Sequence, residues 1–190
     1  MIELLSIVQI FMLVNPLTSL PLLIQAYKQN FSMKEIAYKS VLLALGIALF
    51  FVIFGNIIFD IFNISVTSLR IAGGIIIFLL GLEMTREKES VDREITQHDA
   101  VISILATPML TGPATISYLI LSTLEKGMTT MLVNVVLSFV LVAVVFISMA
   151  VLIPRINVKY VGFVSKVLGL FLAALGVEMV MMGIKAAALI

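Results

Sequence analysis

The sequence predicts an all-α membrane protein of six transmembrane helices, built as two inverted three-helix repeats with spans 1 and 4 broken at Pro-x4-Pro. Three observations predict it. Of 190 residues, 62% are hydrophobic and 12% charged, with a mean hydropathy of +1.22; a soluble domain averages about 45–50% apolar and about 25% charged. Six runs approach or exceed the roughly 20 apolar residues that a helical span requires. Two motifs also recur in the second half of the chain at similar offsets.

Span 1 is expected at 2–26. Its start, "MIELLSIVQIFMLV", has no positive leading region and no small-residue cleavage pattern, so it is expected to be a retained helix. Inside it stands "NPLTSLP" (15–21), where each proline removes a backbone donor and clashes with the carbonyl four residues earlier. Spans 2 and 3 are expected at 39–59 and 66–84, the latter ending in "GIIIFLLGLEM" (74–84). Residues 86–98 carry charges of both signs and read as a connector. Span 4 (99–122) holds "TPMLTGP" (107–113); spans 5 and 6 follow at 129–153 and 161–184. Span 6 places Gly162, Gly169, Gly176 and Gly183 at intervals of seven, a smooth face for close helix packing.

Pro16 and Pro21 match Pro108 and Pro113 at an offset of 92, and "GIIIFLLGLEM" matches "GLFLAALGVEM" (169–179) at 95. The chain therefore reads as one transmembrane domain, 1–190, with repeat 1 at 1–85 and repeat 2 at 99–190. Three spans per repeat oblige the second copy to enter the membrane from the opposite side, the arrangement of many secondary transporters. Nine Lys/Arg (Lys28, Lys34, Lys39, Arg86, Lys88, Arg93, Arg155, Lys159, Lys166) fall on one side and three (Arg70, Lys126, Lys185) on the other. That bias puts loops 1–2, 3–4 and 5–6 in the cytoplasm and both termini outside.

The proline pairs carry the chemistry. Pro16 is expected to free the carbonyl of Met12 and Pro21 that of Leu17; Pro108 and Pro113 do the same for Ile104 and Met109. Non-helical backbone at membrane depth is tolerated where it is buried in protein or lines a watery cavity. A half-helix that starts after a break presents N–H groups and positive dipole to a carboxylate; one that ends before it presents carbonyls to an ammonium group or a cation. Around the two breaks, Asn15, Thr18, Ser19, Thr107, Thr111 and Thr115 add uncharged hydrogen-bonding groups, and Gly112 permits close approach. With Pro16, Pro21, Pro108 and Pro113 these are the candidate substrate-binding residues for a small dipolar solute. The competing structural reading makes the prolines packing kinks patched by the Ser19 and Thr111 hydroxyls, in a channel or a non-transporting membrane assembly protein. Glu178 and Glu83, equivalent in the repeat, are candidate coupling residues because ionisable groups in spans are costly. The plainer readings are a solvated or ion-paired residue at the end of span 3 for Glu83, and a pair with a nearby cation or an interface role for Glu178.

Other functions are poorly served. With no cysteine there is no disulfide, thiolate metal site or redox pair, and the lone His98 lies in the charged connector. No metal site, cofactor or catalytic residue is expected, since neither GxSG nor HExxH occurs. A net charge of +1 without a basic cluster gives nucleic acid no footing.

"VNPLTSLPLL", "LRIAGGIIIFLLGLEM" and "ATPMLTGPATIS" together resemble the MarC family, also described as neutral amino acid transporters. The resemblance covers essentially the whole chain. It implies six spans in the cytoplasmic membrane and a secondary transporter for small neutral amino acids such as glycine and alanine. Asn15, Pro16, Pro21, Pro108, Gly112 and Pro113 fall on the family's motif positions, whereas Thr18 and Ala114 stand where many relatives carry glycine. The partners expected on this reading are the amino acid, a coupling cation (H+ or Na+), the lipid bilayer and, as a candidate assembly, a homo-oligomer.

Overall fold

The computed structural model describes residues 2–86, 110–155 and 158–188, and every regular element among them is helical. The first is α1, Leu4–Val14. It stops where Asn15 turns into the left-handed region (φ 39, ψ 73) and its N–H closes the last turn on the Phe11 carbonyl. Asparagine is among the few residues that tolerate this conformation. A 3-10 turn, Pro16–Ser19, leads into α2, Leu20–Lys28. The first span is interrupted at Asn15 and the 3-10 turn that follows, and it bends by 40° between Leu4–Ser19 and Leu22–Lys28. One detail differs from expectation: the Leu20 N–H takes the Leu17 carbonyl. The tighter turn thus occupies the group that Pro21 was expected to free.

Four long helices follow: α3, Met33–Ile61; α4, Val66–Thr85; α6, Met128–Leu152; and α7, Val158–Ala188. Between them, α5, Pro113–Lys126, begins directly after a non-helical Thr111–Gly112. α5 is the second half of the expected span 4. Its first half, with Thr107, Pro108 and the charged connector, lies outside the described residues. Gly127 (φ 87) makes the one-residue turn between α5 and α6, a backbone angle that favours glycine.

α3, α4, α6 and α7 are each long and apolar enough to cross a bilayer, and the bent α1–α2 pair makes a fifth such unit. In the four long helices, only 28–39% of the most apolar window is buried. Exposed side chains such as Phe50, Phe54, Leu141 and Phe171 then need lipid rather than water around them.

Packing divides into two antiparallel pairs, α3 on α6 and α4 on α7, with α5 touching α1, α3, α4 and α6. α3 buries Ala37, Ala44, Ala48 and Gly55, a stripe of small residues along one side. The α4–α7 seam is closer still. A Cβ on Gly81 would stand 2.6 Å from the Gly169 carbonyl oxygen, and one on Gly169 would stand 2.8 Å from that of Gly81. Gly74 and Gly176 repeat the arrangement at 2.8 and 2.6 Å. Without side chains between them, the two backbones touch, the packing that small residues permit where lipid supplies no hydrophobic drive. The expected glycine face on span 6 is shorter than its sequence period, since a Cβ on Gly162 would meet nothing within 4 Å.

Candidate functional site

α1 and α5 run antiparallel, so the C-terminal end of α1 meets the N-terminal end of α5. A cleft of about 280 Å³ opens where they meet, walled on a third side by α4. That is near the lower end of the roughly 300–1,000 Å³ typical of drug-sized ligands, a size suited to a small solute. Leu13, Asn15, Ala114 and Thr115 form its buried floor, each under 5% exposed, while Glu83 and Pro113 are exposed at the rim.

The two helix ends give the cleft opposite polarity. On the α5 side, Gly112 is the N-cap and supplies no side-chain cap, and Pro113 occupies the first helical position. The Ile116 N–H bonds the Gly112 carbonyl at 3.0 Å. The Ala114 and Thr115 amides belong to the first turn, which has no intrahelical acceptors, and both residues line the cleft. The helix dipole adds partial positive charge there. On the α1 side, Pro16 has no N–H to offer Met12, and Leu13 and Asn15, from the carbonyl end of the helix, line the same space. Asn15 is 2% exposed; its Nδ2 donates to the Met84 sulfur at 3.1 Å, and its Oδ1 has no partner. A buried amide oxygen left unbonded costs about 1–3 kcal/mol, an expense consistent with a ligand-facing group.

The structure brings Asn15, Thr18, Gly112, Pro113 and Thr115 together around this cleft, with Glu83. Thr18 lines it while its hydroxyl donates to the Asn15 carbonyl at 2.9 Å, bracing the break. Other candidates fall elsewhere. Thr111 is buried and donates to the Ala44 carbonyl at 3.0 Å, tying the second break to α3. Thr111→Val is therefore expected to lower stability by about 1 kcal/mol, measured as a shifted unfolding midpoint in mixed micelles, with ligand affinity unchanged. Pro16 and Ser19 are buried but do not line the cleft; the Ser19 hydroxyl has no partner. Glu178 is exposed on α7 and is not among the residues lining the cleft. The side chain of Pro21, with Thr107 and Pro108, lies outside what is described.

Sequence reasoning named Glu83 but missed the rest of the third wall. Ile76, Leu79, Leu80 and Glu83 line the cleft from α4; their i, i+3, i+4, i+7 spacing is one helical face, legible once the opposite glycine face is assigned to packing. It also left Met84 without a role beyond its place in the repeat. The sulfur's contact with Asn15 spans 69 residues of sequence and has no local signal.

Comparison with known proteins agrees with a membrane-embedded chain. The model of the "MarC family integral membrane protein" family matches residues 2–188. A UPF0056 membrane protein of Methanocaldococcus jannaschii is 29% identical, over 95% of this chain and 94% of its own. Another, from Archaeoglobus fulgidus, is 30% identical over 94% and 90%, and the membrane protein YvbG of Bacillus subtilis is 28% identical over 94% and 92%. No solved structure matches. The chain belongs to the MarC family of integral membrane proteins.

Proposed function

We propose that this protein is a secondary transporter that moves small neutral amino acids, of the size of glycine and alanine, across the cytoplasmic membrane by alternating access. The observation that carries the reading is the dipolar cleft. A carboxylate fits the Ala114 and Thr115 amides at the start of α5, and an ammonium group fits the carbonyl end of α1 beside the orphaned Asn15 oxygen. Both ends of a zwitterion are then satisfied, and the narrow space between them excludes bulky side chains. Glu83, at the rim, adds an acidic group where a coupling H+ or Na+ would enter.

The α4–α7 seam supports the inverted repeat behind alternating access. Under the sequence match, Gly74 is equivalent to Gly169 and Gly81 to Gly176. The contacts obey the same exchange: Gly81 approaches the Gly169 carbonyl as Gly176 approaches that of Gly74, both at 2.6 Å. This is the pattern that a two-fold axis in the membrane plane would create. On the Lys/Arg bias both termini face outward, and the Glu83 end of the cleft faces the cytoplasm.

Purified protein in proteoliposomes tests the proposal. Counterflow of radiolabelled alanine or glycine is expected, together with a rise in melting temperature when either is added, since a ligand that binds only the folded state stabilises it. Folded protein giving neither signal with any small neutral amino acid would overturn the substrate assignment. It would favour the channel or assembly reading, in which the breaks are kinks.

A further inference from the structure

Beyond the cleft, the contact between α1 and α5 carries two polar layers, one of them at the helix ends. The Lys126 ammonium, at the end of α5, lies 2.8 Å from Glu3 Oε2 and donates to Ser6 Oγ at 2.6 Å. Ser6 is fully buried, and its hydroxyl donates to the same Glu3 oxygen at 2.9 Å. Nearer the cleft, the Tyr118 hydroxyl donates to Gln9 Oε1 at 2.6 Å, with Tyr118 only 5% exposed. At about 1.5 Å per residue, the Gln9–Tyr118 pair stands roughly 9 Å, and the Glu3–Ser6–Lys126 cluster roughly 14–18 Å, from Asn15 along α1.

Both helices have further partners at this end. α1 is also held by α6: the Glu3 N–H donates to Asn134 Oδ1 at 3.1 Å, and the Ser138 hydroxyl donates to the Ile7 carbonyl at 3.2 Å. α5 is held by α4, where Arg70 pairs with Glu125, and by α3; it ends at Lys126, and the next residue, Gly127, turns the chain at φ 87 with open space around it. Hydrogen bonds between side chains can be exchanged for bonds to water when helices part, whereas interlocked apolar side chains lose their contacts outright. A seam that must open and close is therefore better made of the first kind.

We propose that this polar seam is a gate: the Glu3–Ser6–Lys126 cluster and the Gln9–Tyr118 pair shut the cleft toward the Lys126 face, and the cleft opens to that face when α1 and α5 part along it. The gate rests on the transporter reading, but its accessibility can be measured without any transport. The chain contains no cysteine, so a single Ala114→Cys on the cleft floor is a clean reporter for a membrane-impermeant methanethiosulfonate, applied to right-side-out and inverted vesicles. With the gate intact, labelling from the Glu83 face is expected to exceed labelling from the Lys126 face at least tenfold. Adding Lys126→Met and Tyr118→Phe is expected to raise labelling from the Lys126 face to within a few-fold of the other. Equal labelling from both faces before those changes, or an unaltered ratio after them, overturns the gate. A second variant leaves the cleft floor untouched. Gln9→Cys with Tyr118→Cys, joined by a short bifunctional thiol reagent, is expected to lose alanine uptake and to regain it on reduction. Unchanged uptake by the joined protein overturns the gate as well. Failure of the unjoined protein to take up alanine counts against the amino-acid reading alone, because the labelling ratio still decides the gate.

Discussion

Gly81→Leu is expected to destabilise the protein by about 3 kcal/mol or more, at the upper end of what overpacking costs in a tight core. The reason is the identity of the neighbours. A Cβ at this position would lie 2.6 Å from the Gly169 carbonyl oxygen and 2.8 Å from the Ala173 Cα. Backbone of that kind cannot rotate aside as a side-chain terminus can. α4 and α7 must separate along their length, losing the dispersion contacts that hold membrane helices together. Gly176→Leu should behave alike, since its Cβ would stand 2.6 Å from the Gly74 carbonyl oxygen. Gly46→Leu, where nothing lies within 4 Å, is the matched control and should move stability by less than about 0.5 kcal/mol. The measurement is the midpoint of SDS-induced unfolding in mixed micelles. Equal shifts for Gly81→Leu and Gly46→Leu would mean that the two backbones are not in contact.

Asn15→Gly is expected to weaken alanine binding ten- to a hundredfold, because a lost hydrogen bond to a charged group removes about 1.5–3 kcal/mol. Glycine is the informative replacement. Position 15 has φ 39, which glycine adopts without strain, so the break persists while the side-chain amide disappears. Alanine would mix loss of the amide with backbone strain. Stability is expected to change by less than about 1 kcal/mol: the Met84 contact is lost, but so is the unbonded buried oxygen. Asn63→Gly, also at positive φ (51) but in an exposed turn, should alter neither property. Alanine-induced thermal shifts read both variants, and wild-type alanine affinity in Asn15→Gly would remove this residue from the site.

Much of the architecture was legible because it follows from short-range or periodic rules. The long spans needed only apolar length, and the break in span 1 needed only a proline whose missing donor ends a helix. The opposite polarity of the two half-helices followed from chain direction, since a helix dipole depends on no partner. What escaped was three-dimensional adjacency. Glu83 read as a residue at the end of a span, yet α4 turns it onto the rim of the cleft. Thr111 read as a binding group, yet its hydroxyl is taken by α3. Gly162 shares the period of Gly169 and Gly176, yet it lies where α4 offers no neighbour. Leu17 lost its expected freedom because a 3-10 turn, one residue tighter than an α-turn, redirected a hydrogen bond.

By itself the sequence determined that this chain belongs in a membrane, where its first span must break, and which residue types stand at the breaks. These are properties of local composition and of a ring that cannot donate a hydrogen bond. Only the tertiary structure decided which of those residues share a cavity. Two helix ends about a hundred residues apart in sequence meet because α1 and α5 pack antiparallel, with Glu3 against Lys126 and Gln9 against Tyr118. Such a meeting is set by the summed packing of all the helices around it, and no window of sequence contains that sum.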